Sequence, residues 1–205
     1  MPNRSTTSAK PIINRLVVVG LGLIGASLAL AARQRGLASK VIGISRRAST
    51  VEMALKAHII DQGESSLAAI AQELGAGDVL VIGVPTLTVP AILQDCAALL
   101  SPEVTITDVA SVKGTVMDAA AEIYGTMPSQ FVPGHPIAGS EKSGVTAANP
   151  DLYRDHRVIL TPDACTSDEH LQVIAQLWTG VGATVSSMDR TEHDEILAAT
   201  SHLPH

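Results

Sequence analysis

A glycine motif near the N-terminus restricts the possible folds more than any other part of the sequence. In the stretch VVVGLGLIGASLA, three glycines follow a short apolar, β-branched run and precede a segment of helical composition. The spacing G-x-G-x-x-G between a strand and a helix is typical of dinucleotide-binding βαβ units. Glycine there allows a tight turn and a close approach of a pyrophosphate to backbone N–H groups at the helix start. The stretch predicts either such a cradle or a purely structural turn, and the candidate binding residues are Gly20, Gly22, Leu23, Ile24 and Gly25.

The rest of the chain alternates short apolar runs with helical segments. Predicted strands cover 15–20, 40–45, 78–85, 103–111, 130–136, 157–162 and 183–189 (an edge strand), and predicted helices cover 26–36, 50–58, 87–100 and 167–182. Such alternation indicates βαβ units. With 46% hydrophobic but only 2% aromatic residues, aliphatic side chains must fill the core, which suits a buried parallel sheet. We expect an α/β fold with a doubly wound, Rossmann-type, mostly parallel sheet.

The two ends of the chain differ from this pattern. Residues 1–13 are expected to form a disordered leader, and residues 14–190 the dinucleotide-binding domain. From residue 191 the pattern turns helical and stops at His205. We interpret 191–205 as the start of a second, helical domain that is truncated in this sequence.

Charge and cysteine content argue against several classes of function. The net charge is −6 without any run of Lys or Arg, which disfavours a nucleic-acid or anionic-membrane surface. No stretch approaches the roughly 18 apolar residues of a membrane span, and the N-terminus lacks the apolar core of a signal peptide. Cys96 and Cys165 match no metal or redox spacing. We expect a cytoplasmic protein that binds no nucleic acid, no membrane and no metal.

The residues after the second predicted strand bear on the choice of cofactor. An NAD-specific site usually carries Asp or Glu about 20 residues beyond the glycine motif, where the carboxylate binds the ribose 2′-OH. Here the strand ends in Ser45, and Arg46 and Arg47 follow, which can pair with a 2′-phosphate. We favour NADP, with NAD and two solvated arginines as the alternative. Val84 and Pro85 are expected beside the nicotinamide half, or at the start of the next helix.

A second motif, GHPIAGSEKSG at 134–144, holds one histidine on a constrained backbone. Pro136 disfavours helix at His135, and Gly134 allows a sharp turn before it, so the imidazole points in a fixed direction. Ser140 and Glu141 follow as candidate substrate-binding residues, with a solvated loop as the alternative.

Polar residues also cluster in TDVASVKG at 107–114. Ser111 is a candidate functional residue or a helix N-cap, and both roles are compatible. Lys113 is expected to form a structural ion pair, for which Asp108 is a candidate partner. Asp108, within the strand predicted over 103–111, is also a candidate cofactor-binding residue.

Four segments together resemble the prephenate/arogenate (cyclohexadienyl) dehydrogenase family of tyrosine biosynthesis. They are the glycine motif, TDVASVKG, GHPIAGSEKSG and ATSHLPH at 199–205, and they span nearly the whole sequence in the family's order. The resemblance implies a Rossmann domain followed by a helical domain that dimerises and completes the active site. It therefore implies a homodimer, with residues 191–205 as the beginning of the dimerisation domain.

The resemblance also implies a reaction and the residues that perform it. The substrate is prephenate and/or arogenate, whose NAD(P)-dependent oxidative decarboxylation gives 4-hydroxyphenylpyruvate and/or tyrosine. His135 matches the family's catalytic histidine, which accepts the proton of the 4-hydroxyl as hydride leaves C4. Ser111 matches a serine that orients the hydroxyl and His135, and His202 matches a histidine of the substrate pocket. The histidines without a recognisable partner, which receive no role, are His58, His156, His170 and His193.

Two other interpretations remain open. A dehydrogenase of the β-hydroxyacid type would share the glycine cradle and a helical partner domain, but its chemistry usually depends on a helical lysine. A non-enzymatic module that senses the dinucleotide would have no reason to carry Ser111 and His135 together. Turnover of substrate distinguishes the three.

Overall fold

The structure is a computed structural model that describes residues 10–139 and 141–201. Its strands are β1 (Ile13–Val19), β2 (Ala38–Ile44), β3 (Gln62–Glu64), β4 (Val79–Ile82), β5 (Thr105–Asp108), β6 (Phe131–Val132), β7 (Gly134–Pro136), β8 (Arg157–Leu160) and β9 (Thr184–Ser187). Its α-helices are α1 (Leu23–Gln34), α2 (Ala48–Lys56), α3 (Val89–Leu99), α4 (Gly114–Tyr124), α5 (Asp168–Gly180) and α6 (Arg190–Ser201). Within these ranges, no helix has the length and apolar character needed to cross a membrane.

The larger sheet is parallel throughout. Its strand order is β3-β2-β1-β4-β5-β6. The chain first moves outward from β1 to β3, then returns to the other side of β1 to lay down β4, β5 and β6. The order therefore reverses between β1 and β4, and open α/β sheets bind ligands at the carboxyl ends of the strands at such a point. The predicted Rossmann-type, mostly parallel sheet is confirmed.

Helices cover both faces of this sheet. Leu16 and Val18 of β1 belong to one apolar cluster, together with residues of α1 and α5 that include the fully buried Trp178. Val17 and Val19 belong to a second cluster, which contains residues of α3 and α4. Because successive side chains of a strand point to opposite faces, the two clusters lie on opposite sides of the sheet. The sheet is doubly wound, as the sequence predicts.

The strand predicted over 130–136 is wrong as a single element. The chain breaks at Pro133 into β6, which belongs to the parallel sheet, and β7, which pairs antiparallel with β8 in a separate three-stranded sheet. Proline has no N–H to donate to a ladder, and the carbonyl of Pro133 accepts a hydrogen bond from Thr161 N at 3.0 Å. The break places His135 in the middle of β7, opposite Ile159.

The sequence prediction lacks two elements of the structure, helix α4 and strand β3. Helix α4 buries Val116, Met117 and Ala120 on one face and ends at Gly125, whose φ of 79° forms a left-handed cap. Strand β3 is only three residues long and adds to the edge beside β2. β9 lies at the edge of the three-stranded sheet, as predicted. The helix predicted from residue 191 is α6, which begins at Arg190.

Candidate active site

A cleft of about 680 Å³ lies at the carboxyl ends of β1, β2 and β4. Gly22 lines it after β1, Ser45 after β2, and Gly83 after β4. Its other wall includes residues 144–146, at the start of a short 3-10 helix (Val145–Ala147). The cleft therefore occupies the point at which the strand order reverses. The sequence analysis did not assign 144–146 to this site, because nothing local links that segment to the glycine motif.

The three motif glycines lie in different structural environments. Gly20 has a φ of 101°, and a Cβ there would lie 2.4 Å from the carbonyl oxygen of Gly83. A Cβ on Gly25 would lie 2.1 Å from the carbonyl oxygen of Gly20, so Gly25 lets α1 pack against the turn. A Cβ on Gly22 would meet nothing within 4 Å. Gly20 and Gly25 thus serve the turn and the packing, whereas Gly22 leaves open space beside the backbone.

The start of α1 offers an anion site to this space. α1 has no acidic residue in its first turn and no side-chain cap, so its first N–H groups are left for a ligand. Leu23 and Ile24 begin the helix, and the buried Tyr153 donates its hydroxyl hydrogen to the carbonyl oxygen of Ile24 at 2.5 Å. Val84 and Pro85 also line the cleft. The cradle that the glycine motif predicts therefore offers helix N–H groups and open space to an anionic group.

The end of β2 presents positive charge and hydroxyl groups to the cleft. Ser45, Arg46, Arg47 and Thr50 all line it, and both arginines are exposed. Among the described lining residues the acidic side chain is Asp95, which lies on α3 rather than after β2. The groups positioned beyond β2 are therefore ones that could pair with or donate hydrogen bonds to an anion.

A buried ion pair joins the end of β5 to β7. Lys113 and Asp108 are both fully buried, and Lys113 Nζ donates to Asp108 Oδ2 at 2.5 Å and to the carbonyl oxygen of Gly134 at 2.7 Å. Burial lowers the pKa of Lys113, although the Asp108 carboxylate opposes this. The predicted Lys113–Asp108 pair is confirmed. The Asp108 carboxylate also accepts hydrogen bonds from Ala110 N and Gly134 N, so this geometry gives no support to the expected contact of its side chain with a cofactor.

His135 is part of a hydrogen-bonded chain that the sequence analysis missed. His135 Nδ1 lies 3.0 Å from His193 Nε2, and the two rings meet edge to face at an interplanar angle of 66°. His193 Nδ1 lies 2.7 Å from Asp194 Oδ1. Asp194 also accepts hydrogen bonds from the backbone N–H groups of Lys113 at 2.9 Å and Gly114 at 2.8 Å. The carboxylate therefore caps the N-terminus of α4 while it holds His193.

The surroundings of His135 keep its imidazole neutral. Burial lowers its pKa to about 4, and the positive charge of Lys113 acts in the same direction, while the Asp194 carboxylate opposes them. At neutral pH the ring therefore carries a lone pair that can accept a proton.

Of the other predicted site residues, the structure describes Ser111 and Glu141. Ser111 lies exposed in the loop between β5 and α4, and the structure shows no direct hydrogen bond between it and His135. Its expected helix-capping role is wrong, because Lys113 precedes α4 and Asp194 supplies the cap. Glu141 is exposed in the turn after β7. Ser140 and His202 fall outside the described residues.

The sequence analysis was wrong to leave His193 without a partner. His193 is fully buried, and its two ring nitrogens contact His135 and Asp194. The sequence carried a local signal, since His193 and Asp194 are adjacent near the start of a predicted helix. It carried no signal for the contact across 58 residues to His135. Among the residues that the structure describes, no group of three or more His, Cys, Asp or Glu could hold a metal ion.

The doubly wound sheet and the glycine cradle at its reversal point define a Rossmann-type nucleotide-binding domain. The sequence model described as "Prephenate dehydrogenase, nucleotide-binding domain" matches residues 28–187. The chain belongs to the prephenate dehydrogenase family, and the resemblance found in its motifs is confirmed.

Individual relatives are similar over nearly the whole chain. The cyclohexadienyl dehydrogenase of Zymomonas mobilis is 32% identical over 95% of this chain and 64% of its own length. The structure of Aquifex aeolicus prephenate dehydrogenase in complex with hydroxyphenyl propionate and NAD+ gives a TM-score of 0.86 at 34% identity, covering 94% of this chain and 66% of that one. Synechocystis arogenate dehydrogenase gives a TM-score of 0.83 at 33% identity, covering 93% and 65%. The chain thus spans slightly less than two thirds of the length of each of these proteins.

Proposed function

We propose that this chain forms the dinucleotide-binding part of a prephenate and/or arogenate dehydrogenase. The observation that carries the proposal is the position of His135 on β7, with its ring hydrogen-bonded to His193 at 3.0 Å, in a domain that also carries the glycine cradle. The relatives, which are cyclohexadienyl, prephenate and arogenate dehydrogenases, supply the substrate class. The full natural protein is further proposed to act as a homodimer through a helical domain.

The cradle fits a nicotinamide dinucleotide. Open space beside Gly22 and the uncapped start of α1 suit its pyrophosphate. When bound, the cofactor supplies the acceptor for a hydride. We propose NADP rather than NAD, because Arg46 and Arg47 stand after β2 where an NAD-selective site usually carries a carboxylate. The Aquifex aeolicus relative was solved with NAD+, so this preference is a property proposed for this chain.

His135 is proposed to act as the general base. The substrate carries a hydroxyl group and a hydrogen on the same carbon, C4. As that hydrogen leaves with its electron pair, the neutral ring of His135 takes the hydroxyl proton, and the C4–O bond becomes a carbonyl. The bond to the ring carboxylate then breaks, CO2 leaves, and its electron pair makes the ring aromatic. The oxygen at C4 regains a proton and becomes a phenol.

The remaining predicted residues are proposed to surround the substrate. Ser111 and Glu141 are both exposed, in loops that follow β5 and β7, and we propose that they face the substrate beside His135. Ser140 and His202 keep their proposed roles in substrate binding, although they lie outside the described residues.

A substrate panel tests the proposal. The full natural protein is assayed with prephenate, arogenate and short β-hydroxy acids, each with NADP and with NAD. We expect reduced cofactor and CO2 to form together with one or both cyclohexadienols, and no turnover of the hydroxy acids. Turnover confined to the hydroxy acids would identify the other dehydrogenase class. Tight dinucleotide binding without turnover of any substrate would favour a sensing module.

A further inference from the structure

We propose that His193 and Asp194 are positioning residues that fix which ring nitrogen of His135 carries the hydrogen. This inference rests on the proposed function for its role in the reaction, because it explains how His135 presents a lone pair to the substrate. The geometry on which it depends belongs entirely to residues of this chain. It assigns a function to a histidine that the sequence motifs leave without one.

The first step is the contact between Asp194 and His193. Burial raises the pKa of Asp194, but hydrogen bonds from Lys113 N, Gly114 N and His193 outweigh this, so the pKa is lowered and the side chain is a carboxylate. A carboxylate can only accept hydrogen bonds. His193 Nδ1, 2.7 Å from Asp194 Oδ1, must therefore carry the hydrogen of this contact.

The second step is the contact between the two histidines. A neutral imidazole has one N–H, so a His193 that donates from Nδ1 holds a lone pair on Nε2. This lone pair faces His135 Nδ1 at 3.0 Å. His135 therefore donates from Nδ1, and its own lone pair stays on Nε2. His135 Nε2 is then the atom that accepts the hydroxyl proton of the substrate.

The third step concerns the charge that forms on His135. When Nε2 takes a proton, Nδ1–H continues to donate to His193, so no proton has to move along the chain of residues. The Asp194 carboxylate raises the pKa of His135 against the other influences and thus stabilises the imidazolium. His193 is fully buried on α6, and Asp194 is bound to the first backbone N–H groups of α4. The two residues therefore hold the ring from elements that are themselves fixed to each other.

Nitrogen-15 NMR of the imidazole groups tests the assignment without substrate or cofactor. The spectrum of the 205-residue chain is recorded at neutral pH, and the His135 signals are assigned by their loss in His135→Asn. We expect a protonated Nδ1 and an unprotonated Nε2 in His135. A wild-type His135 that is protonated mainly on Nε2 would overturn the proposal, whatever the variants do.

Two substitutions at position 193 separate hydrogen bonding from packing. His193→Phe keeps an aromatic ring but removes the acceptor, and we expect the Nδ1–H to Nε2–H ratio of His135 to fall at least about tenfold, which is 1.4 kcal/mol. His193→Gln retains an amide oxygen that can accept from His135, so we expect it to keep the wild-type ratio. His170→Phe is the matched control, because His170 instead bonds Thr105 Oγ1 and should leave the His135 signals unchanged.

An unchanged tautomer ratio in folded His193→Phe contradicts the proposal. If that variant does not fold, loss of the Nδ1–H form in His193→Gln does so instead. In the full natural protein, His193→Phe is expected to lower kcat about 10- to 100-fold with little change in KM, and His193→Gln to recover much of it. If neither cyclohexadienol is turned over while the NMR result is as expected, the proposed function fails and the tautomer assignment stands.

Discussion

The cofactor cleft and the His135 site are built in opposite ways. The cleft takes its shape from the turn between β1 and α1, where Gly20, Gly22 and Gly25 lie within one supersecondary unit. The His135 site joins β7 to His193 and Asp194 on α6, 58 residues further along the chain. The proposed ligand-binding groups of the first are backbone N–H groups, whereas the second consists of side chains in a hydrogen-bonded series. The cleft therefore needs open space beside the glycine backbone. The histidine site needs His135, His193 and Asp194 to be aligned so that each can hydrogen-bond the next.

The largest effect is expected on kcat when His135, the last residue of the hydrogen-bonded series, is replaced. His135→Asn in the full natural protein should lower kcat about 10²–10⁴-fold, because it removes the base, while cofactor affinity is retained. Steady-state kinetics and calorimetric titration of the dinucleotide measure the two quantities. A loss of less than about threefold would show that another group takes the proton.

The pH dependence of kcat/KM is a second test of the role of His135. The base must be neutral to work, and the pKa of His135 is lowered to about 4 by burial and by the positive charge of Lys113. In wild type, kcat/KM should therefore rise with pH through an ionisation near 4 and be level at neutral pH, rather than rising near the unperturbed value of about 6.5. This limb should vanish in His135→Asn. If it persists there, His202 is the next residue to test as the base.

The next effect is on stability and concerns the buried Lys113–Asp108 pair, which is bonded to the start of β7. Lys113→Met leaves the fully buried Asp108 carboxylate without its counter-charge, and we expect the free energy of unfolding to fall by about 3–5 kcal/mol. Arg190→Met is the control, because its ion pair with Asp118 also joins two elements but is exposed, so it should cost at most about 1 kcal/mol. Urea denaturation of both variants measures the difference. Equal losses would mean that burial of the Lys113–Asp108 pair is energetically unimportant.

Two alanine substitutions separate packing from ligand binding within the cleft. Gly25→Ala places a Cβ 2.1 Å from the carbonyl oxygen of Gly20, and we expect a stability loss of about 1–3 kcal/mol. Gly22→Ala enters open space and should change stability by less than about 0.5 kcal/mol. It should nevertheless weaken dinucleotide binding at least about tenfold, because the methyl group occupies the side from which the pyrophosphate approaches. Wild-type affinity in Gly22→Ala would place the cofactor elsewhere.

The smallest effect concerns cofactor choice. Wild type should bind NADP about tenfold or more tightly than NAD, since each charge-assisted hydrogen bond contributes about 1.5–3 kcal/mol. The double variant Arg46→Ala, Arg47→Ala should lose most of this preference. Arg157→Ala, which removes an exposed arginine that does not line the cleft, should keep it. Titration calorimetry with both dinucleotides decides the question, and equal affinities in wild type would refute the preference.

The same contrast explains what could be predicted from sequence. The β1–α1 cradle is governed by local rules for glycine, strands and helix termini, so its residues could be named directly. Lys113 and Asp108 are five residues apart and span a strand end, which made their pairing predictable as well. His135 could be singled out because Gly134 and Pro136 constrain its backbone and because the surrounding motif matches a family.

Other features depend on packing that no local pattern encodes. The split of 130–136 follows from where Pro133 falls relative to two different sheets. Helix α4 is an exception, because its buried residues Val116, Met117 and Ala120 stand at helical spacing in the sequence and the helix could have been predicted. The pairing of His193 with His135 requires α6 to lie against the N-terminus of α4, which only the folded chain shows. The wall formed by 144–146 is absent from the sequence prediction for the same reason.

The contacts of Asp194 also link the packing of α6 to the orientation of His135. One carboxylate both accepts hydrogen bonds from the N–H groups at the start of α4 and contacts His193, so a coupling free energy links the packing of α6 to the orientation of the proposed base. A molecule whose α6 has come away loses the helix cap and the orientation of His135 in one event. In the proposed mechanism, His135 is therefore oriented for proton abstraction only while α6 is packed against the start of α4.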